Sequence, residues 1–162
     1  MFRSRFSRDG RTLVTVGCDD NHALCVWDWE NDTMSPVFEY RAIKEDLFGL
    51  QFKPTENSLE FVTYGAKHLK FWAIKEVVAG VAGTRVVNYV LDCKGGVLGE
   101  IGQLQAAFYS VHFLSDTHTA VGTSSGDIYV YNGNILESIM TGHVNAPCSV
   151  LTVLPLSVAF FK

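Results

Sequence analysis

The sequence is poor in what a secreted, membrane-spanning or nucleic-acid-binding protein needs. Four prolines and four cysteines occur in 162 residues, charged residues make up 19%, and 13 Lys and Arg are outnumbered by 17 Asp and Glu. The net charge of −4 argues against binding driven by nucleic-acid phosphates, which takes a basic excess. Cys18, Cys25, Cys93 and Cys148 form no CxxC pair and no dense framework, so the reduced thiols of a cytosolic protein are expected. No apolar stretch follows the basic start Met1-Phe2-Arg3-Ser4-Arg5, so no secretory signal is read there. Asn31-Asp32-Thr33 matches a glycosylation acceptor, and nothing else points to secretion. The one sustained apolar run, Ser149 to Phe161, is too short to span a bilayer and contains Pro155. A soluble chain with neither a nucleic-acid nor a membrane partner is expected. Helical periodicity is equally scarce: the best candidate, Lys75–Ala82, is short, rich in valine and ended by glycine.

What is present is β-sheet patterning, and it recurs. With 48% apolar residues the chain can bury a core. One pattern occurs three times: a strand of alternating polarity, a turn, a second strand, a small-residue turn, and a strand ending in an aromatic. The first copy runs from Phe6-Ser7-Arg8-Asp9-Gly10 to Val26-Trp27-Asp28-Trp29, the second from Phe48 to Phe71-Trp72, the third from Tyr109 to Tyr129-Val130-Tyr131. Phe6 to Phe52 is a step of 46 residues and Trp27 to Trp72 one of 45, the period of a propeller blade. Leu50 and Phe52 share a face across Gln51, as Val111 and Phe113 do across His112. The runs Thr12–Val16 and Glu60–Tyr64 are nearly continuous in β-branched and aromatic residues, as in strands buried on both faces. Gly10, Gly17, Gly65, Gly122 and Gly126 are expected at the hairpin reversals.

The chain divides into expected blades at 1–46, 47–103 and 104–140, with a partial fourth over 141–162. Trp72 to Tyr131 is a longer step of 59 residues, and the excess lies between Glu76 and Gln103. That stretch is read as a decorated outer strand and loop, and as the expected place of partner contact. Asn134–Met140 is expected as the outer strand of the third blade, and Ser149–Leu154 as the inner strand of a fourth. With few blades the edges stay open, so self-association and an incomplete propeller are expected.

Val26-Trp27-Asp28, Gly142-His143 and the repeat length resemble the WD-repeat β-propeller family. A narrower resemblance lies in Gly17-Cys18-Asp19-Asp20-Asn21-His22, Gly65-Ala66-Lys67-His68-Leu69-Lys70-Phe71-Trp72 and Gly122-Thr123-Ser124-Ser125-Gly126-Asp127. In this order they look like consecutive blades of the echinoderm microtubule-associated protein-like (EMAP-like) family, over about residues 2–154. The resemblance implies an all-β partial WD-repeat propeller of about three four-stranded blades plus the start of a fourth. It also implies a tubulin or microtubule partner and a cytoplasmic, cytoskeletal location. Blades of the wider family tie their strands together through a His–Ser/Thr–Asp–Trp network. Here Thr15, Asp19 or Asp20, and Trp27 supply three members in the first blade. The second blade has Ala42-Ile43 in place of Gly-His, and the third has Ser125 and Tyr131 in place of Asp and Trp, so lost networks are expected there.

The residues that mimic reactive sites have blander readings. Gly122-Thr123-Ser124-Ser125-Gly126 spells a serine-hydrolase elbow, but an elbow needs a helix after the serine, and Asp127–Tyr131 alternates as a strand. Cys18, His22 and Cys25 lack the second half of a zinc site, and Asp19 and Asp20 read as turn acceptors. The glycines from Gly95 to Gly102 match neither a dinucleotide fingerprint nor a P-loop. His68 reads as solvated or satisfied within a network, His112 and His118 have no partner spacing, and Arg3, Arg5, Arg8 and Arg11 read as a solvated edge. No catalytic, cofactor or metal residue is expected. The function expected is that of a non-enzymatic protein-interaction module. The alternatives are a general WD-repeat scaffold for another protein or peptide, or a gene fragment without autonomous function.

Overall fold

The structure is a computed structural model describing residues 3–17, 22–31, 35–41, 43–55, 58–79, 86–144 and 146–151. Among the described residues twelve strands form three antiparallel sheets in chain order. The first holds β1 (Arg3–Phe6), β2 (Thr12–Val16), β3 (Leu24–Asp28) and β4 (Phe38–Tyr40), with a short 3-10 turn at Trp29–Asn31. The second holds β5 (Leu47–Phe52), β6 (Glu60–Gly65), β7 (His68–Ala79) and β8 (Val86–Gly95). The third holds β9 (Phe108–Phe113), β10 (His118–Thr123), β11 (Asp127–Asn132) and β12 (Ile135–Thr141). Each sheet is an up-and-down meander, with β1, β5 and β9 neighbouring one another along the inner edge. The β1–β2, β5–β6 and β9–β10 turns gather at one rim, here the lower. The β2–β3, β6–β7 and β10–β11 turns gather at the upper rim.

Strand alternation gives each sheet two unlike faces. The front face carries the aromatic that ends the third strand and its cross-strand partner: Trp27 with Leu13, Trp72 with Phe61, Tyr131 with Thr119. The back face is aliphatic in the first sheet, with Val14, Val16, Leu24 and Val26. This back face covers the front face of the second sheet, burying Leu50, Phe52, Phe61 and Trp72 in one core. The back face of the second sheet, with Val62 and Leu69, covers Val111, Val121, Tyr129 and Tyr131 of the third. Phe61 and Trp72 stack at 5.9 Å, and Tyr40 meets Trp72 edge-on at 5.2 Å. Each such side chain contributes about 1.5–3 kcal/mol by leaving water. The front face of the first sheet has no covering sheet among the described residues, and Phe6 there is 55% exposed.

Two expectations are corrected. Lys75–Ala82 is not a helix: β7 continues through Ala79, pairing Val77 and Val78 with Asn88 and Val87, because β-branched residues suit a ladder better than a helix. Residues 80–82 lie outside the described set. Gly65 and Gly122 are not hairpin reversals with positive φ. They sit within β6 and β10, where a Cβ would overlap the carbonyl oxygens of Asp46 and Cys148. Gly10 and Gly126 do turn the chain, at φ 76° and 94°. The expected outer strand of the third blade is present as β12. Residues 149–151 form no strand, and the rest of that expected inner strand lies outside the described residues.

Candidate interaction surface

The polar network of each sheet begins with a tryptophan. Trp27 Nε1 donates to Thr15 Oγ1 at 2.9 Å, and Trp72 Nε1 donates to Thr63 Oγ1 at 2.8 Å. In the second sheet the network is not lost, as expected, but rebuilt from the opposite direction. His68, the first residue of β7, places Nε2 2.8 Å from Thr63 Oγ1 and is 2% exposed. Thr63 Oγ1 thus accepts from Trp72 and shares a further hydrogen bond with His68 Nε2. Its other ring nitrogen, Nδ1, lies 3.6 Å from Glu45 Oε2. Burial pushes the His68 pKa down to about 4, helped by the Lys70 charge and opposed by Glu45. The signal was Gly65-x-x-His68, which brings the ring back over the β6–β7 turn. In the third sheet the network is absent because Val121 takes the place of Thr15 and Thr63. The buried Tyr131 hydroxyl has no hydrogen-bond partner among the described residues, and burial raises its pKa.

Ser124 lies in the β10–β11 turn, between two strands, and its hydroxyl donates to Gln105 Oε1 at 3.1 Å. That strand–turn–strand context differs from a nucleophile elbow. Gln105 also donates to Tyr129 Oη at 2.9 Å and accepts from Ser125 N, fixing the segment that crosses from the second sheet to the third. Of the residues weighed as metal ligands, His22 packs at the upper rim with Nδ1 3.3 Å from the Gly17 carbonyl oxygen. Cys18, Asp19 and Asp20 lie outside the described residues. Arg8 donates to the Pro54 carbonyl and Arg11 approaches Glu30 at 3.8 Å, so these two arginines are tied within the lower rim.

The inner edge carries a feature that motif reading missed. Phe48 is an extra residue in β5, since Leu47 opposes Gly65 and Gly49 opposes Tyr64. Tyr109 is the matching extra residue in β9, between Phe108 opposite Thr123 and Ser110 opposite Gly122. Such bulges re-aim a side chain out of the pleat. The two rings stack at 5.3 Å and 14°, and Tyr109 is 38% exposed. Lys44, Glu45, Asp46 and Lys67 lie exposed at the same upper rim. The sequence signal was an aromatic four residues before the one that ends each inner strand: Phe48 before Phe52, Tyr109 before Phe113, and Phe2 (outside the described residues) before Phe6.

At the lower rim the segment singled out between Glu76 and Gln103 resolves into two parts. β7 and β8 continue as a two-stranded ribbon beyond the end of β6, which pairs no further than Glu60 with Ala73. The chain then returns past Gly96 and crosses to the third sheet, where Val97 pairs with Ile135 in parallel. A cleft opens on either side of the ribbon. One, of about 350 Å3, lies between the first two sheets. The other, of about 240 Å3, lies between the second and third, where Lys53–Glu60 and Lys75–Asp92 pairs balance its charge.

No family model matches the chain. It is similar to cilia- and flagella-associated protein 44 of Trypanosoma brucei brucei, at 29% identity over 86% of this chain, and to that of Chlamydomonas reinhardtii, at 24% over 86%. It is also similar to human echinoderm microtubule-associated protein-like 1, at 28% over 77% of this chain, which bears out the resemblance read from the motifs. The chain spans 7% of the length of the first two relatives and 13% of the third. Among solved structures it resembles the computationally designed Ika4 protein, with TM-score 0.61 and 20% identity over 94% of this chain and 79% of that one. It also resembles the Myceliophteria thermophila Cps50 (Swd1) β-propeller domain, with TM-score 0.56 and 16% identity over 86% of this chain and 42% of that one. The three sheets have the fold of β-propeller blades.

Proposed function

We propose that this chain is a non-enzymatic protein-interaction module whose partner class is tubulin or microtubules, in the cytoplasm at the cytoskeleton. The similarity to a relative named for microtubule association, and to two named for cilia and flagella, supports the partner class. The observation that carries the reading is the Phe48–Tyr109 stack, with Tyr109 exposed and Phe48 half-buried, held by two bulges on neighbouring inner strands. A rigid aromatic pair gives a partner a large contact area at little entropic cost, which is how interface hot spots work. Lys44, Lys67, Glu45 and Asp46 beside it supply a polar rim of mixed charge that can fix the register of a partner. The β7–β8 ribbon is a second contact surface of the same module.

Co-sedimentation of the full chain with polymerised tubulin, against a folded acidic control, tests this. Salt-sensitive pelleting is expected, and Phe48→Ala with Tyr109→Ala is expected to weaken it by about tenfold, the usual scale for losing a hot spot. Absence of pelleting at roughly micromolar protein would overturn the tubulin reading. A general scaffold that binds another protein or peptide through the same aromatic pair is the competing reading.

A further inference from the structure

Arg8 and Arg11 are tied at the lower rim, whereas Arg3 and Arg5 lie on β1, the innermost strand of the first sheet. Neither of these two guanidinium groups has a partner among the described residues. Arg5 is exposed, and Arg3 Nε is shut off from water with no acceptor. Buried donors are almost always satisfied, so this one marks a place where an acceptor is missing. Both arginines sit on the back of β1, since Arg3 opposes Val16 and Arg5 opposes Val14.

The neighbouring inner strands continue this chemistry. The residue before the aromatic that ends each one is Arg5 before Phe6, Gln51 before Phe52 and His112 before Phe113. Register sets all three on back faces, opposite Val14, Val62 and Ala120. Because β1, β5 and β9 lie side by side as the edges of their sheets, these positions form one row of N–H donors. Gln51 and His112 are half-buried, and their side chains have no hydrogen-bond partner among the described residues. In a chain of net charge −4, the three inner strands contain no Asp or Glu. Glu45 and Asp46, at the upper rim, approach His68 and His22 at 3.6 and 3.8 Å. The inner edge is therefore locally cationic.

A guanidinium offers a carboxylate two parallel N–H donors. Arg3 and Arg5 are two residues apart on one face, about 7 Å, the same step as alternate side chains of any extended chain. An extended segment with acidic residues at alternate positions meets both arginines at once. Gln51 and His112 offer further N–H groups to its carboxylates or main-chain carbonyls. A nucleic acid would need many phosphate contacts, and the net charge opposes it. We infer that the inner edge receives an extended acidic segment of a partner protein, whose carboxylates meet Arg3 and Arg5. The inference rests on the reading of this chain as an interaction module, and not on the identity of the partner.

Fluorescence anisotropy of the full chain with fluorescein-labelled hexa-glutamate, hexa-serine and hexathymidylate tests it. Hexa-glutamate is expected to bind despite the like net charge of the chain, about tenfold tighter than the other two probes. Arg3→Gln with Arg5→Gln is expected to weaken it about fivefold, the scale of two partly exposed charge pairs. Arg11→Gln with Arg41→Gln removes the same charge outside the inner strands and is expected to leave binding unchanged. No hexa-glutamate binding, equal weakening by both pairs, or tighter binding of hexathymidylate would overturn the inference. Should the first pair unfold the chain, Arg5→Gln alone, on an exposed side chain, keeps the comparison, with about a twofold loss expected. A chain that pellets with microtubules but does not bind hexa-glutamate loses this inference alone. One that binds hexa-glutamate without pelleting loses only the tubulin reading.

Discussion

Thr63 Oγ1 stands between Trp72 Nε1 and His68 Nε2, each 2.8 Å away and all three residues buried. Burial of the ring, more than any single contact, makes its charged form costly, so the folded sheet favours a neutral imidazole. An ordinary histidine in the unfolded chain titrates near pH 6.5, whereas in the fold the value falls to about 4. Between those values the unfolded chain binds a proton that the folded chain refuses. Stability is therefore complete above pH 6.5 and lost as pH falls toward 4. The loss at pH 5 is expected to be about 2 kcal/mol, from a shift worth about 1.4 kcal/mol per unit. Urea midpoints at pH 7.5 and pH 5 check this, and the gap should shrink in His68→Gln. An unchanged gap in that variant would mean that another group carries the acid sensitivity.

At the scale of elements, close approach matters more than turn geometry. Gly65 and Gly122 look in the sequence like hairpin glycines because each follows a β-branched or aromatic run. Their backbones are ordinary; what they lack is room, since the loop ending at Asp46 and the segment at Cys148 press against them. Gly65→Ala is expected to cost about 3 kcal/mol or more, as overpacking against backbone does. Gly95→Ala, with nothing within 4 Å of its Cβ, is expected to stay within about 0.5 kcal/mol. Thermal melts of the two variants check the contrast. The strands themselves were legible, since period-two alternation and β-branched runs mark β2, β6 and β10 directly. The false helix at Lys75–Ala82 arose because a short valine-rich run has no decisive period, and nothing within the run shows that it pairs with Val86–Val90. The rebuilt His68 network was hidden for a related reason: the same role is filled from the next strand rather than from the preceding loop.

For the whole molecule, the same kind of front face appears in two states. In the second sheet Phe52, Phe61 and Trp72 are at most 6% exposed beneath the aliphatic face of the first. In the first sheet the corresponding Phe6, Leu13 and Trp27 meet no covering sheet among the described residues, and Phe6 and Trp29 are more than half exposed. An apolar sheet face of this kind associates in water. The isolated chain is expected to show a light-scattering mass above the monomer that rises with concentration, and Phe6→Lys should lower it. A monomeric mass at all concentrations would contradict this. The repeat period made the number of sheets and their order readable in advance. The aromatic pair at the inner edge was not read, because a bulge is a two-against-one count between strands and becomes visible only once the pairing is known.

The two inner-strand bulges hold one further consequence. Phe52 and Phe113 are 61 residues apart, against 46 for Phe6 and Phe52, yet Phe48 and Tyr109 keep the same register and touch. Chain length and spatial interval are thus uncoupled, with the surplus taken up by the ribbon and the crossing segment. Evolution is free to lengthen or shorten the chain between Ala79 and Val86 while the spacing along the inner edge stays constant, so the ribbon is where relatives are expected to diverge in length and the inner edge is where they are expected to align.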